Sequence, residues 1–431
     1  MYIFKYTECI ISKYMGAEFR QVAQGETAMN YVEREITPKL MEYADTFPVV
    51  YLTGPRQSGK STLLKHVFPR YRHVNLEEKD VREFALEDPR GFLNGLGVPA
   101  IIDEAQYAPD LFSYIQAKID EQDEAGMFIL SGSQNFLMLR NIYQSLAGRV
   151  GILSLLPFSN SEMSAAGMLS EDTNEWLFSG HYPRRALRGI KPADFYPNYI
   201  KTYVERYVRL ETGVQKIDSF ASFMRLCAAS VGSPINLSSI GNAINTDART
   251  IASWINILEE SYLIFRLKPY IKSFAKRYSK TPKLYFYDTG LLCSLLGLRT
   301  AADVYHSNKR GEVFENAVII DYYKQRYNNG TFPNDNTFFW RDSSVRENEI
   351  DLIIEYAGHL ALYEIKASQT ARIKHADNLI LFESSMCARK DDKNAVVNVF
   401  DPGCTKTVVY DGPHNVTMKE VLFINRNDVR Y

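Results

Sequence analysis

Cysteine is scarce and scattered. The five present, Cys9, Cys227, Cys293, Cys387 and Cys404, form no C-x-x-C pair and no His/Cys group with zinc spacing, which excludes a zinc finger and a disulfide framework. They are expected to be reduced thiols. Long apolar runs are missing as well: no stretch approaches the ~18 consecutive apolar residues of a membrane-spanning helix. The opening Met1-Tyr2-Ile3-Phe4-Lys5 lacks the apolar stretch and small-residue cleavage site of a signal peptide, so a cytoplasmic protein with no membrane partner is expected. Neither sign of charge dominates, the formal net charge being -1, which excludes a globally basic nucleic-acid coater and leaves only a local patch for such contact. A chain of 431 residues is expected to hold two or three domains, each with its own core.

What the chain does contain is a phosphate-binding loop. Gly54-Pro55-Arg56-Gln57-Ser58-Gly59-Lys60-Ser61 matches G-x-x-x-x-G-K-[ST] at every position, and Thr62 follows as a second phosphate contact. The apolar run Val49 to Thr53 ahead of it reads as a buried strand and Ser61 to Val67 as a helix start. Gly54 and Gly59 let the backbone turn its N–H groups toward phosphate oxygens, and the helix N-terminus adds its positive dipole end. Lys60 is expected at the β and γ phosphates of ATP and the Ser61 hydroxyl on Mg²⁺.

A second apolar strand, Val98 to Ile102, ends in Asp103-Glu104, a Walker B pattern in which Asp103 holds Mg²⁺ and Glu104 polarises the attacking water. The second acid favours hydrolysis over transfer to a small molecule, although two acids at a strand end are also a common turn. A third strand, Met127 to Leu130, runs into Ser131-Gly132-Ser133, where additional-strand ATPases carry a sensor; Ser131 or Ser133 fills it, or the segment is a polar turn. Arg149, in Leu146-Ala147-Gly148-Arg149, is a candidate arginine finger, with a surface arginine as the plain alternative.

Patterning divides the chain into an extension at 1–28, alternating strands and helices at 29–160, a helical lid or linker at 161–212, a winged-helix-like stretch at 213–285 and a C-terminal domain at 286–431. In the fourth segment a short helix, the turn Asn245-Thr246-Asp247 and a longer helix with Ile251, Trp254, Ile255 and Leu258 on one face lead into a strand. The following stretch 268–283 carries five Lys and one Arg without an acid, interleaved with Tyr270, Phe274 and Tyr278. It is the candidate nucleic-acid patch, or a solvated wing.

Near the C-terminus, Glu349 to Ile354 and Leu360 to Lys366 read as a hairpin about Ala357-Gly358, which sets Asp351 opposite Glu364 with Lys366 on the same face. Like charges opposite one another call for a cation, and a divalent metal on Asp351, Glu364 and the Ile365 carbonyl would supply it, with Lys366 beside the attacking water. Lys366 paired simply with Glu364 is the alternative. The D-x(n)-E-x-K order is the core of restriction-endonuclease-like nucleases, and Glu315, on a preceding helix, matches their additional acid.

These blocks together resemble prokaryotic ATPases of the AAA superfamily, related to the archaeal ATPases, that carry a C-terminal domain of unknown function. The carriers are Gly54 to Thr62, Ile102-Asp103-Glu104-Ala105-Gln106, Leu146 to Arg149, Tyr182-Pro183-Arg184, Lys283 to Leu291, Gly311 to Glu315 and Glu364-Ile365-Lys366, covering roughly residues 29–425. The resemblance implies an α/β protein: a P-loop parallel sheet of the additional-strand type, then a winged helix, then a restriction-endonuclease-like α/β domain, with ATP and Mg²⁺ as ligands. DNA, a protein partner and a second copy of the chain are the expected partners. A nucleotide-switched interaction module without nuclease activity is the rival expectation.

Overall fold

The computed structural model describes residues 31–132, 145–203, 217–271, 281–342, 348–356, 359–387, 404–412, 415–418 and 421–429. The expected extension at 1–28, Ser133 and most of the basic stretch 268–283 lie outside the described residues. The chain divides into two compact units, one of residues 1–53 and 59–153 and one of 54–58 and 154–431.

In the first unit, strands β1 (Val49–Thr53), β2 (Arg72–Asn75), β3 (Ala100–Asp103), β4 (Phe128–Ser131) and β5 (Val150–Ser154) form one sheet in the order β2-β3-β4-β1-β5. The β2–β3, β3–β4 and β4–β1 ladders are parallel. Residues of β1, β3 and β4 are buried throughout, as apolar runs in a sheet covered on both faces should be. Tyr51, Ile102, Phe112, Ile115, Phe128 and Leu130 belong to one core cluster. Inserting β4 between β1 and β3 is the additional-strand arrangement. Register pairs Leu52 with Ser131 and Asn75 with Asp103, so the polar ends of these strands emerge at one edge.

The second unit begins with helices, among them Asn160–Ala165, closed by a Ser159/Glu162 capping box, and Thr173–Ser179. Helix Leu237–Ala243, a four-residue turn and helix Ala248–Glu260 follow; Asp247 caps the second, and Ile251, Trp254, Ile255 and Leu258 are buried as the spacing requires. Strands β6 (Ile264–Pro269) and β7 (Lys283–Phe286) then pair antiparallel. Helix Arg310–Asn328 precedes β8 (Thr337–Arg341), β9 (Glu349–Tyr356) and β10 (His359–Lys366), which pair antiparallel in turn. Helix Asp377–Cys387 leads to β11 (Cys404–Tyr410), parallel to β10, and β12 (Val416–Met418) and β13 (Val421–Asn425) complete the edge. Ala361, Tyr363 and Ile365 of β10 enter one core and Leu360 and Leu362 another, the period of two expected of a strand with both faces covered.

The boundaries expected at 212 and 285 both fall inside this unit. Strand β6 pairs in parallel with β8 through Lys268–Phe338 and Pro269–Phe339, giving one eight-stranded sheet in the order β12-β13-β11-β10-β9-β8-β6-β7. One apolar cluster runs from Leu156 to Val429. Pairing between segments some seventy positions apart leaves no local pattern, so the hairpin reads as a separate wing in sequence and as part of a larger sheet in space. Among the described residues no helix is long and apolar enough to cross a membrane.

Candidate functional site

The loop after β1 relies on glycine at both ends. Gly54 has φ 142°, and a Cβ there would lie 2.1 Å from the Leu155 carbonyl oxygen, so only glycine lets the loop approach that backbone. Gln57 takes φ 63° without being glycine, the kind of local strain that gathers at functional loops. Ser58 N–H donates to the Pro55 carbonyl at 3.3 Å, and the Tyr199 hydroxyl lies 3.5 Å from the Arg56 carbonyl. Gly59, at φ 97°, begins helix Lys60–Val67, and no side chain caps that N-terminus. A helix N-terminus presents the positive end of the helix dipole, which favours an anion. Lys60, in its first turn, is buried.

Asp103 is the hub of the first unit's polar edge. It is 2% exposed at the end of β3 and accepts hydrogen bonds from the Ser131 hydroxyl on β4 and from the Ser61 hydroxyl on the loop helix. His73 Nε2 lies 3.8 Å from its other oxygen. Burial pushes the carboxyl up, but His73, Ser131 and Ser61 more than offset it and hold it down to about 2. An ionised carboxylate beside a serine hydroxyl is a hard oxygen donor pair of the kind Mg²⁺ takes, so Ser61 and Asp103 fit the expected metal.

Glu104 follows with φ 54°, a left-handed turn that redirects its side chain, and its carboxylate accepts from Gln106 Nε2. Ser131, one of the two expected sensor candidates, touches Asp103, and Ser133 lies outside the described residues. His73 and Gln106 carried no expected role; their only signal was position, on the strand beside β3 and two residues past Glu104.

Arg149 sits elsewhere. Its carbonyl accepts from Val49 N–H at 3.2 Å, level with the first residue of β1, whereas the loop leaves after Thr53. Four residues of strand separate the two ends by about 13 Å. Its guanidinium is held by Asp120 at 2.8 Å. In its own chain the expected finger is therefore at the opposite end of the sheet from Asp103.

In the second unit the expected register holds from His359–Tyr356 to Tyr363–Leu352, which makes Asp351 and Glu364 the next facing pair. There the ladder gives way, because Ile365 N–H donates to Asp351 Oδ2 at 2.8 Å. Lys366 Nζ lies 2.5 Å from Glu364 Oε1 and 3.9 Å from Asp351 Oδ2. Glu315 is brought to the same cluster, yet its partners are the Tyr285 hydroxyl and Lys283, 3.2 Å away. Lys283 also binds Glu349, which Arg341 binds from its other side. Burial raises the Glu315 carboxyl to about 7 against the pull of Lys283; burial and Asp351 raise Glu364 well above the usual range against Lys366. The four acids are thus interleaved with cationic side chains, and among the described residues no three His, Cys, Asp or Glu groups converge as a ready-made metal cage. Lys283 and Glu349 were missed as site residues because their partnership crosses 66 positions.

Comparison with known proteins divides the chain in three. Residues 46–164 match a family model described as an AAA domain. The match spans the five-stranded sheet and the Gly54–Ser61 loop. Residues 170–302 and 310–426 match two domains of unknown function, DUF8612 and DUF4143. An uncharacterized protein of Mycobacterium tuberculosis is 28% identical over 348 residues, covering 80% of this chain and 76% of that one. An uncharacterized protein of Haemophilus influenzae is 22% identical over 388 residues, covering 81% and 89%. Among solved structures, a Walker-type ATPase of Pyrococcus abyssi aligns at 14% identity and TM-score 0.42 over 62% of this chain and 97% of that one. Aquifex aeolicus DnaA aligns at 15% and 0.27 over 52% and 86%. Scores at this level carry no weight beside the AAA-domain match and the site geometry.

Proposed function

We propose that the chain hydrolyses ATP with Mg²⁺ at the AAA domain and uses the nucleotide state to direct a DNA-associated, nuclease-like C-terminal half. The observation that carries the ATPase reading is Asp103, ionised and gripped by Ser61 from the loop helix and Ser131 from the intervening strand. In this reading the backbone from Gly54 to Ser61 and the Thr62 side chain hold the phosphates, and Lys60 offsets charge gathering on the γ-phosphate. Glu104 accepts the proton of the attacking water, and Gln106 orients its carboxylate. When bound at Ser61 and Asp103, Mg²⁺ supplies charge neutralisation at the phosphates. Arg149 has a neighbouring copy's nucleotide as its only catalytic target.

The DNA assignment is supported by the two helices 237–243 and 248–260 with the β6–β7 hairpin behind them, an arrangement like a winged helix, and by the basic composition of 268–283. The nuclease-like assignment is supported by the run of helix, three antiparallel strands, helix and parallel strand carrying Glu315, Asp351, Glu364 and Lys366 in order. A second reading, a nucleotide-switched interaction module, is favoured by the lysines that already neutralise those acids. ATP turnover by the full chain with and without double- and single-stranded DNA separates the two. Stimulation by DNA that vanishes in Lys60→Ala supports the first; turnover indifferent to nucleic acid supports the second.

A further inference from the structure

The acid cluster of the second unit has two sides. On one, Lys283, the first residue of β7, is fully buried with its ammonium 3.2 Å from Glu315, bonded to Glu349 and 5.4 Å from the centre of the Phe339 ring. Tyr285 donates to Glu315 and Arg341 completes Glu349, so both carboxylates are furnished with cationic or hydroxyl donors from inside the protein. On the other, Lys366 is partly exposed and shared between Glu364 and Asp351, and Glu364 Oε2 is buried with no hydrogen-bond partner among the described residues. Lys283, Arg341 and Lys366 each reach one or two of the four acids, and the oxygen left without a donor belongs to Glu364. A buried carboxylate oxygen without a partner has given up its bonds to water for nothing, so that side is built for something further.

We propose that Lys283 is a resident counter-ion on the Glu315 side of this cluster, excluding metal there, so that Glu315 is not a metal ligand and a divalent cation is confined to Asp351 and Glu364. This departs from the expectation that Glu315 joins Asp351 and Glu364 around the metal, and it rests on the nuclease-like reading only for the Asp351–Glu364 side. The physical case is substitution of like for like. A lysine ammonium fixed by a strand, with three donors and unit charge, does for Glu315 and Glu349 what a metal does for loosely held carboxylates, and cannot be displaced without opening β7. The site therefore differs in capacity, one cation rather than two, from an acid cluster of the same size without the lysine.

The test is Mn²⁺ binding to the nucleotide-free full chain in an Asp103→Asn background, which silences the ATP-site cation, read by calorimetry and by the melting temperature. Glu315→Gln is expected to change Mn²⁺ affinity less than twofold, while Asp351→Asn lowers it at least tenfold. Lys283→Gln is expected to raise the stoichiometry from one Mn²⁺ per chain to two and to make the melting temperature rise with Mn²⁺. Equal loss of affinity in Glu315→Gln and Asp351→Asn overturns the proposal. So does a folded Lys283→Gln that gains neither a second Mn²⁺ nor a metal-dependent melt; if that variant fails to fold, the Glu315→Gln comparison decides. A parent that binds no Mn²⁺ contradicts the nuclease-like reading, and a Lys283→Gln that then binds one still supports the resident lysine.

Discussion

Gly54→Ala puts a single methyl group where the loop is tightest. The added Cβ lies 2.1 Å from the Leu155 carbonyl oxygen and 3.0 Å from its carbon. Non-bonded heavy atoms settle near 3.5 Å, so the two backbones must part by more than about 1 Å. Overpacking of this kind costs roughly 1–3 kcal/mol, and a backbone at φ 142° that an L-residue rarely adopts adds about 1–3 kcal/mol. The protein can meet that cost by unfolding more readily or by shifting the loop, and a loop displaced by 1 Å no longer aims its N–H groups at phosphate. Binding of a fluorescent ATP analogue and thermal melting of the full chain are the assays. The expected result is at least a tenfold loss of nucleotide affinity together with a lower melting temperature. Gly95→Ala is the control, because a Cβ there meets nothing within 4 Å, and it is expected to be neutral or to stabilise by up to about 1 kcal/mol. A Gly54→Ala protein with the parent's affinity and melting temperature would refute the close approach to Leu155.

Arg149→Ala removes a half-exposed pair with Asp120, so stability should change by no more than about 1 kcal/mol and turnover by a dilute, single-copy protein by less than twofold; a tenfold fall there would show that the side chain reaches its own chain's nucleotide. His181 is held well below the ordinary imidazole value by burial and by Lys324, so the fold keeps it neutral while the unfolded chain gains a proton as pH falls below 6.5. The stability it contributes is present above pH 6.5 and is lost below it at up to about 1.4 kcal/mol per pH unit. Denaturation of His181→Phe at pH 6.5 and 5.5 should show a shallower loss than the parent, and an identical slope would contradict a neutral His181.

The AAA domain was legible in the sequence because its signals are local: an apolar strand, a glycine loop and a helix in immediate succession, then a second strand ending in Asp103-Glu104. The hairpin register leading up to Asp351 and Glu364 was legible for the same reason, because it follows from the position of the turn. What stayed hidden depends on distant segments meeting. Nothing near Lys283 says that Glu349 will lie against it, and nothing in 264–269 says that this strand will add in parallel to Thr337–Arg341. Arg149 was misleading in the opposite way: it follows a recognisable motif, yet which end of a strand it occupies is fixed only by the sheet, where it stands beside Val49. Gln106 belongs to the Ile102–Gln106 block, but its bond to Glu104 goes with the left-handed turn at φ 54°, which residue type does not announce.

The central claim, that Asp103 and Glu104 form a hydrolytic site with Lys60, is tested most directly by measuring ATP binding and steady-state turnover for the parent, Lys60→Ala and Glu104→Gln. The account predicts that Lys60→Ala loses nucleotide binding or turnover. Glu104→Gln should bind ATP as the parent does while turnover falls by about 10²–10⁴-fold, the usual worth of a general base. A Glu104→Gln protein that hydrolyses ATP at the parent's rate would contradict it.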